Sequence, residues 1–252
     1  MAQYFTEVGA GERYDQYRPK THQAVVQKMQ QHLKGRHFER VVDVACGTGD
    51  STVPLLAIGE EVIGIDSSDE MLAIAQNRGL SVRKADYTDL PQQGRFDLIS
   101  TCMAFHWFNG LRAVASYKAA SNPGAFWLIY NFAFAGHTTS EAFNHWLREE
   151  YFKRYPSPPR NRFEDMTLAD DEELSVIANE SGWLPVEFTL ESLIGYLSTQ
   201  SNIGEAARKG RTLDAIASDL CKELSGIDIT GAFKYAYSYE ILEYVAINKR
   251  LL

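Results

Sequence analysis

The chain has 252 residues, 45% of them hydrophobic and 23% charged, which is enough apolar material for one α/β domain with an insertion to bury a full core. Its formal net charge of −8 argues against a nucleic-acid backbone as partner, because phosphate binding needs a basic footprint. No apolar run approaches the roughly 18 residues of a membrane span, and the polar first residues carry no secretory pattern. Three widely separated cysteines, Cys46, Cys102 and Cys221, fit a reducing cytoplasm better than a disulfide framework or a metal site.

In chain order, Thr21 is suited to cap a helix running to about Leu33, with Val25, Val26, Met29 and Leu33 on one stripe. The pattern then predicts strands near 40–45 and 62–65 with a helix over about 50–58 between them. A helix from about Asp69 ends at Gly79, which suits a left-handed cap. Strands are expected near 81–84, 96–100 and 125–131, with a helix over 111–120. This is a doubly wound, mostly parallel α/β sheet. After the fifth strand the alternation lapses. Phe143, Trp146, Leu147, Tyr151 and Phe152 mark an amphipathic helix that Pro156-Ser157-Pro158-Pro159 ends. Further helices are expected over Asp170 to Glu180 and within 192–225, and a last strand within Phe233 to Asn248. Residues 1–252 read as one domain carrying a helical cap insertion at 133–180, with the helices of 192–225 as candidates to join it.

The chemistry begins at Val41-Val42-Asp43-Val44-Ala45-Cys46-Gly47-Thr48-Gly49-Asp50, followed by Val62-Ile63-Gly64-Ile65-Asp66. An apolar strand ends in a small-residue turn, and a second apolar strand ends in a carboxylate. In a doubly wound sheet that acid accepts hydrogen bonds from ribose hydroxyls, while Gly47 and Gly49 let a ligand approach the backbone. No frame places three glycines as a dinucleotide fingerprint does, and no Gly-Lys-Ser/Thr follows for a P-loop. A glycine turn that binds nothing, or a nicotinamide enzyme, stays open at this point.

The stretch Asp-x-Ala-Cys-Gly-Thr-Gly resembles motif I of class I methyltransferases that use S-adenosylmethionine. The resemblance continues through Asp66-Ser67-Ser68-Asp69-Glu70-Met71-Leu72, Val82-Arg83-Lys84-Ala85-Asp86-Tyr87 and Phe96-Asp97-Leu98-Ile99-Ser100. It implies a seven-stranded sheet and a cofactor site formed by Asp43, Ala45, Gly47, Gly49, Asp66, Ser67, Met71, Asp86, Tyr87 and Cys102. Within it Asp66 would hold the ribose, Met71 would lie near the adenine, and Asp86 would accept from the adenine amino group. Thr101 to Phe108, with His106-Trp107, is similar to the segment after strand four in small-molecule methyltransferases of the trans-aconitate methyltransferase-like group. Tyr14-Asp15-Gln16-Tyr17-Arg18-Pro19 and Ser181-Gly182-Trp183 resemble two further elements of that group. By that likeness Tyr17 and Arg18 fold over the cofactor, and Arg18 pairs with the methionine carboxylate. Two departures, Asn122-Pro123-Gly124-Ala125 and Cys102, leave the methionine end and the acceptor open.

The resulting expectation is a cytoplasmic methyltransferase acting on a small, acidic molecule, with carboxylate O-methylation leading. His106 is the candidate catalytic residue, as base or hydrogen-bond donor, and His106 with Trp107 would line the acceptor pocket. Arg160 or Arg162 would attract the acceptor's charge from the cap. No metal, nucleic acid or membrane is expected, and the assembly is a monomer or homodimer. Phenol, phosphonate, carbon or carrier-bound acyl acceptors remain as alternatives, as does a nucleoside-binding module without turnover. His22, His32 and His37 read as surface residues.

Overall fold

The computed structural model describes residues 9–159 and 168–246. Two helices, α1 (Ala10–Tyr17) and α2 (His22–His32), precede β1 (Phe38–Val44) and β2 (Gly59–Asp66). Next come α3 (Asp69–Asn77), β3 (Val82–Lys84), β4 (Phe96–Cys102), α4 (Gly110–Ala120) and β5 (Ser121–His137). Then α5 (Glu141–Trp146) passes through one π turn (Leu147–Tyr151) into α6 (Phe152–Arg154). After β6 (Leu174–Glu187), α7 (Leu190–Ser198), α8 (Ser201–Arg208) and α9 (Leu213–Leu224) lead to β7 (Ala232–Tyr244).

The strands form one sheet in the order β3-β2-β1-β4-β5-β7-β6. The first five are parallel, and β7 runs antiparallel between β5 and β6. Both faces of the central strands are covered, which is why they read as continuous apolar runs. Neighbouring residues divide between the two cores: Val41, Leu98 and Leu128 pack with Val25, Val26 and Met29 of α2 on one face. Val42, Ile99 and Trp127 pack with Ala113, Val114 and Tyr117 of α4 on the other. The strand order reverses between β1 and β4, so their carboxyl ends open a crevice where such sheets bind ligands.

Three expected helices differ. Residues 174–180 lie in β6, not in a helix over Asp170 to Glu180, and Ser181-Gly182-Trp183 continues that strand. This segment pairs only with β7, leaves most side chains exposed and carries a bulge between Val176 and Ala178, so no period-two pattern marks it. The helix expected over 50–58 is reduced to turns and a short 3₁₀ segment, Val53–Ala57, containing Pro54. The Ser51 and Thr52 hydroxyls turn inward to Asp43 there. Among the described residues of 133–180, residues 133–137 continue β5, and α5 through α6 is the substantial helical run. Arg160 and Arg162 lie outside the described residues.

Candidate functional site

A cavity of about 340 Å³ opens at the reversal point, lined by the glycine turn, the start of α3, Asp86, the residues after β4, Trp107, and Tyr14 and His22 from the first two helices. Its floor is set by hydrogen bonds. Asp66, 6% exposed, accepts from Gly47 N and Ser68 N, both at 2.9 Å. The second strand's acid thus ties the glycine turn to the start of α3. Burial raises its carboxyl pKa, and backbone bonds from Ser68, Gly47 and Ser67 partly oppose this. Asp43 lies deeper, accepting the Ser51 and Thr52 hydroxyls at 2.6 Å each, with its pKa raised by burial to about 6. It anchors the turn from beneath and does not line the cavity.

The turn needs its small residues for different reasons. At Gly49, φ is +90° and a Cβ would stand 2.2 Å from Leu80 Cδ1, so this glycine packs the turn against the helix side. At Gly47, φ is +55° and a Cβ would meet nothing within 4 Å, so the open space there is on the ligand's side. Ala45 and Met103, both cavity-lining, hold φ of 58° at the ends of β1 and β4. Left-handed backbone in residues other than glycine is costly, and it collects at sites whose surroundings enforce it. Cys46 also lines the cavity, and its sulfur packs at Gly64, where a Cβ would come within 2.7 Å. Burial pushes both the Cys46 and Cys102 thiols up, so neither is a thiolate.

Of the residues expected at the nucleoside, most come together at the cavity and Tyr87 does not. Ser67, Ser68, Met71 and Asp86 line the cavity with Asp66, and Ser68 caps α3 by accepting from Met71 N at 3.4 Å. Asp86 caps the following 3₁₀ turn, accepting from Thr88 N at 3.0 Å. Tyr87 is turned away: its ring stacks on Phe108 at 4.2 Å and its hydroxyl accepts from Asn109 N. Cys102 lines the cavity, as does Trp107. His106 is not among the lining residues; its ring lies 4.7 Å from that of Trp107 on a 3₁₀ turn.

The first two helices contribute differently from expectation. Tyr17 lies in a separate groove against Gly195 of α7. Arg18 is 7% exposed and donates to Thr199 O at 2.8 Å, with its guanidinium 4.7 Å from the Tyr14 ring and 5.4 Å from that of Tyr196. Burial opposes its charge, and Tyr14, Tyr196 and Tyr235 more than offset this, so it stays charged. It stands behind Tyr14, which lines the cavity.

His22 is a correction: it lies on the cavity wall, edge-on to Phe132 at 5.1 Å and Tyr130 at 6.2 Å. Burial pulls its pKa down to about 4. His32 is partnered too, 2.9 Å from Glu180 and 3.0 Å from the Tyr239 hydroxyl, whereas His37 is exposed. By sequence His22 reads as a surface residue and Tyr14 is named only within the Tyr14 to Pro19 element, because the contacts that bring His22 to the wall are long-range. The groups His/Cys/Asp/Glu form no metal-holding cluster among the described residues, and no helix there is long and apolar enough to cross a membrane.

Residues 41–124 match the family described as methyltransferase domain. An uncharacterized methyltransferase of Staphylococcus carnosus is 43% identical over 68 residues, 27% of this chain and 33% of that protein. The trans-aconitate 2-methyltransferase of Rhodococcus jostii is 28% identical over 145 residues, 55% of each chain. The chain therefore spans about a third to a half of the length of these curated relatives. A solved structure from Anaeromyxobacter dehalogenans, named for a putative type II methyltransferase, shares the fold with a TM-score of 0.62 at 16% identity, over 88% of this chain and 95% of that one. The glycine turn, the acid after β2 and this strand order thus stand together in a chain whose residues 41–124 match the methyltransferase domain family and whose fold is shared with a solved methyltransferase-named structure.

Proposed function

We propose that this protein methylates a carboxylate oxygen of a small acid. The residues present fit the donor: Gly47 leaves open space on the ligand side, Asp66 stands at the cavity floor, and the buried Thr48 Oγ1 has no partner among the described residues. Asp66 holds the ribose, Asp86 and Met71 hold the adenine, and Ala45 to Gly49 flank the methionine portion, with Cys102 at the strand end beyond. S-adenosylmethionine supplies the methyl group in one displacement, in which the new C–O bond forms as the C–S bond breaks and sulfur keeps the electron pair. An acid is already ionised at neutral pH, so the protein has to orient its oxygen and exclude water, not remove a proton. Trp107 forms the apolar wall at the acceptor side, with the His106 ring packed beside it. The helical run of α5 and α6 with α7 to α9 serves as the cap.

The observation that carries an acidic acceptor is Arg18. It is a buried guanidinium with no carboxylate within ion-pair distance among the described residues, set behind a cavity-lining tyrosine. Buried charges are ordinarily paired, and a positive wall of this kind selects an anion. The likeness to a trans-aconitate methyltransferase points the same way. The test is methyl transfer from labelled S-adenosylmethionine to trans-aconitate, citrate, succinate and benzoate. Carboxyl methyl esters release methanol in mild base, whereas phenol ethers and methylated carbon do not. Product that survives base, formed only on phenols or activated carbon acids, would replace the carboxylate reading with one that needs a general base, worth about 10²–10⁴-fold in rate.

A further inference from the structure

The cavity runs along the sheet order. Its nucleoside side is built on β2 and β3, through Asp66, Ser67, Ser68, Met71 and Asp86. The glycine turn follows β1, and Cys102, Met103 and Ala104 follow β4. His22 stands over β5, at the far end from the adenine-side residues, with its ring edge-on to Tyr130 and Phe132. We propose that His22 is the specificity-determining histidine of this site, donating a ring N–H to the carboxylate oxygen of the acceptor that is not methylated.

Three observations support this. The imidazole lines the cavity, and no group among the described residues makes a hydrogen bond to it, unlike His32 and His137. It is the first residue of an 11-residue helix, where the helix dipole favours an anion and disfavours a charged imidazole. The charged groups facing it are Asp50, Lys20, Arg18 and Arg78, and the one acid among them is already bound by Lys20 at 2.7 Å and Arg78 at 2.8 Å. The surroundings therefore keep the imidazole neutral. A neutral donor holds a carboxylate in place while drawing less electron density from it than a charged one, whose hydrogen bonds are about twice as strong.

The proposal rests on the methyl-transfer reading, and the experiment separates the two. Diethyl pyrocarbonate modifies only unprotonated imidazoles, so at pH 5.5 it favours His22 over ordinary histidines; site-resolved mass spectrometry reads the rate. S-adenosylhomocysteine alone should leave His22 modification within twofold, and S-adenosylhomocysteine with trans-aconitate, citrate, succinate or benzoate should slow it at least fivefold. Protection by S-adenosylhomocysteine alone would assign His22 to the methionine end and overturn the proposal. Cofactor binding by calorimetry with no protection by any of the acids would overturn it as well. An absent calorimetric signal would instead sink the methyltransferase reading and the proposal with it. Kinetics adds a check that packing alone cannot mimic. His22→Gln should keep KM for a protected acid within threefold, whereas His22→Phe should raise it about tenfold with S-adenosylhomocysteine affinity unchanged. The reverse order, Phe tolerated and Gln not, would make the ring a packing element only.

Discussion

The two ends of the cavity are made in different ways. The end proposed for the nucleoside is held by backbone groups close in sequence: Gly47 N and Ser68 N bond Asp66, and Ser68 caps the helix carrying Met71. The end proposed for the acceptor is held by side chains from distant segments: Tyr14 and His22 from the first helices, Tyr130 and Phe132 from β5, and Tyr196 and Tyr235 around Arg18. A short backbone motif leaves little freedom in which ligand it accepts. A side-chain wall assembled from five elements can be altered at one position without disturbing the motif, which allows one fold to serve many acceptors.

The sharpest way to break the contrast is at Asp66. Asp66→Ala removes the acceptor of two backbone bonds and of the ribose, and a hydrogen bond to a charged group is worth about 1.5–3 kcal/mol. S-adenosylhomocysteine affinity should therefore fall by roughly ten- to a hundredfold in calorimetry. A change below threefold would mean that the nucleoside is not held at this acid.

Within the glycine turn the two alanine substitutions should differ. Gly49→Ala meets Leu80 as well as an unfavourable φ and should cost about 2 kcal/mol of stability. Gly47→Ala has room and should cost about 1 kcal/mol. Thermal unfolding should show the larger loss at Gly49, and the larger loss of cofactor affinity at Gly47.

Arg18→Met tests the other end. Replacing a buried unpaired guanidinium with an apolar side chain of similar length is expected to leave stability nearly unchanged. It should lower kcat/KM for an acid about tenfold, or about 1.4 kcal/mol, with S-adenosylhomocysteine binding within threefold. Weakened cofactor binding instead would return Arg18 to the methionine carboxylate, the role the family likeness implies.

The smallest effect is a tilt in stability against pH. The Asp43 carboxyl, raised to about 6, retains its proton where the unfolded chain has lost it. Its contribution is complete below about pH 4 and fades as pH rises through 6. His22, lowered to about 4, acts in the opposite sense: its contribution is complete above about pH 6.5 and is lost as pH falls through 4. The two slopes oppose each other in the native protein. Urea unfolding between pH 4.5 and 6.5 should show Asp43→Asn losing stability more steeply toward acid than wild type, and His22→Gln less steeply. Parallel curves would mean that neither group titrates in this window.

Sequence alone fixed the crevice by local rules. Apolar runs bounded by small residues made β1, β2, β4 and β5, and an acid after a buried strand made Asp66. The same logic reached Asp86 and Met71, because strand, turn and helix cap lie within a few residues of one another. It failed where the deciding contact was remote. Residues 174–180 contain helix-forming Leu, Ala and Glu, and only pairing with β7 makes them a strand, since an edge strand exposed on most sides shows no alternation. Two histidines show the same limit. His106 stands beside Trp107 in a legible motif yet lies off the cavity lining, while His22, read as a surface residue of an expected helix, is carried onto the wall by packing against β5. A histidine's chemistry depends on its burial and partners, and those are set by residues more than a hundred positions away.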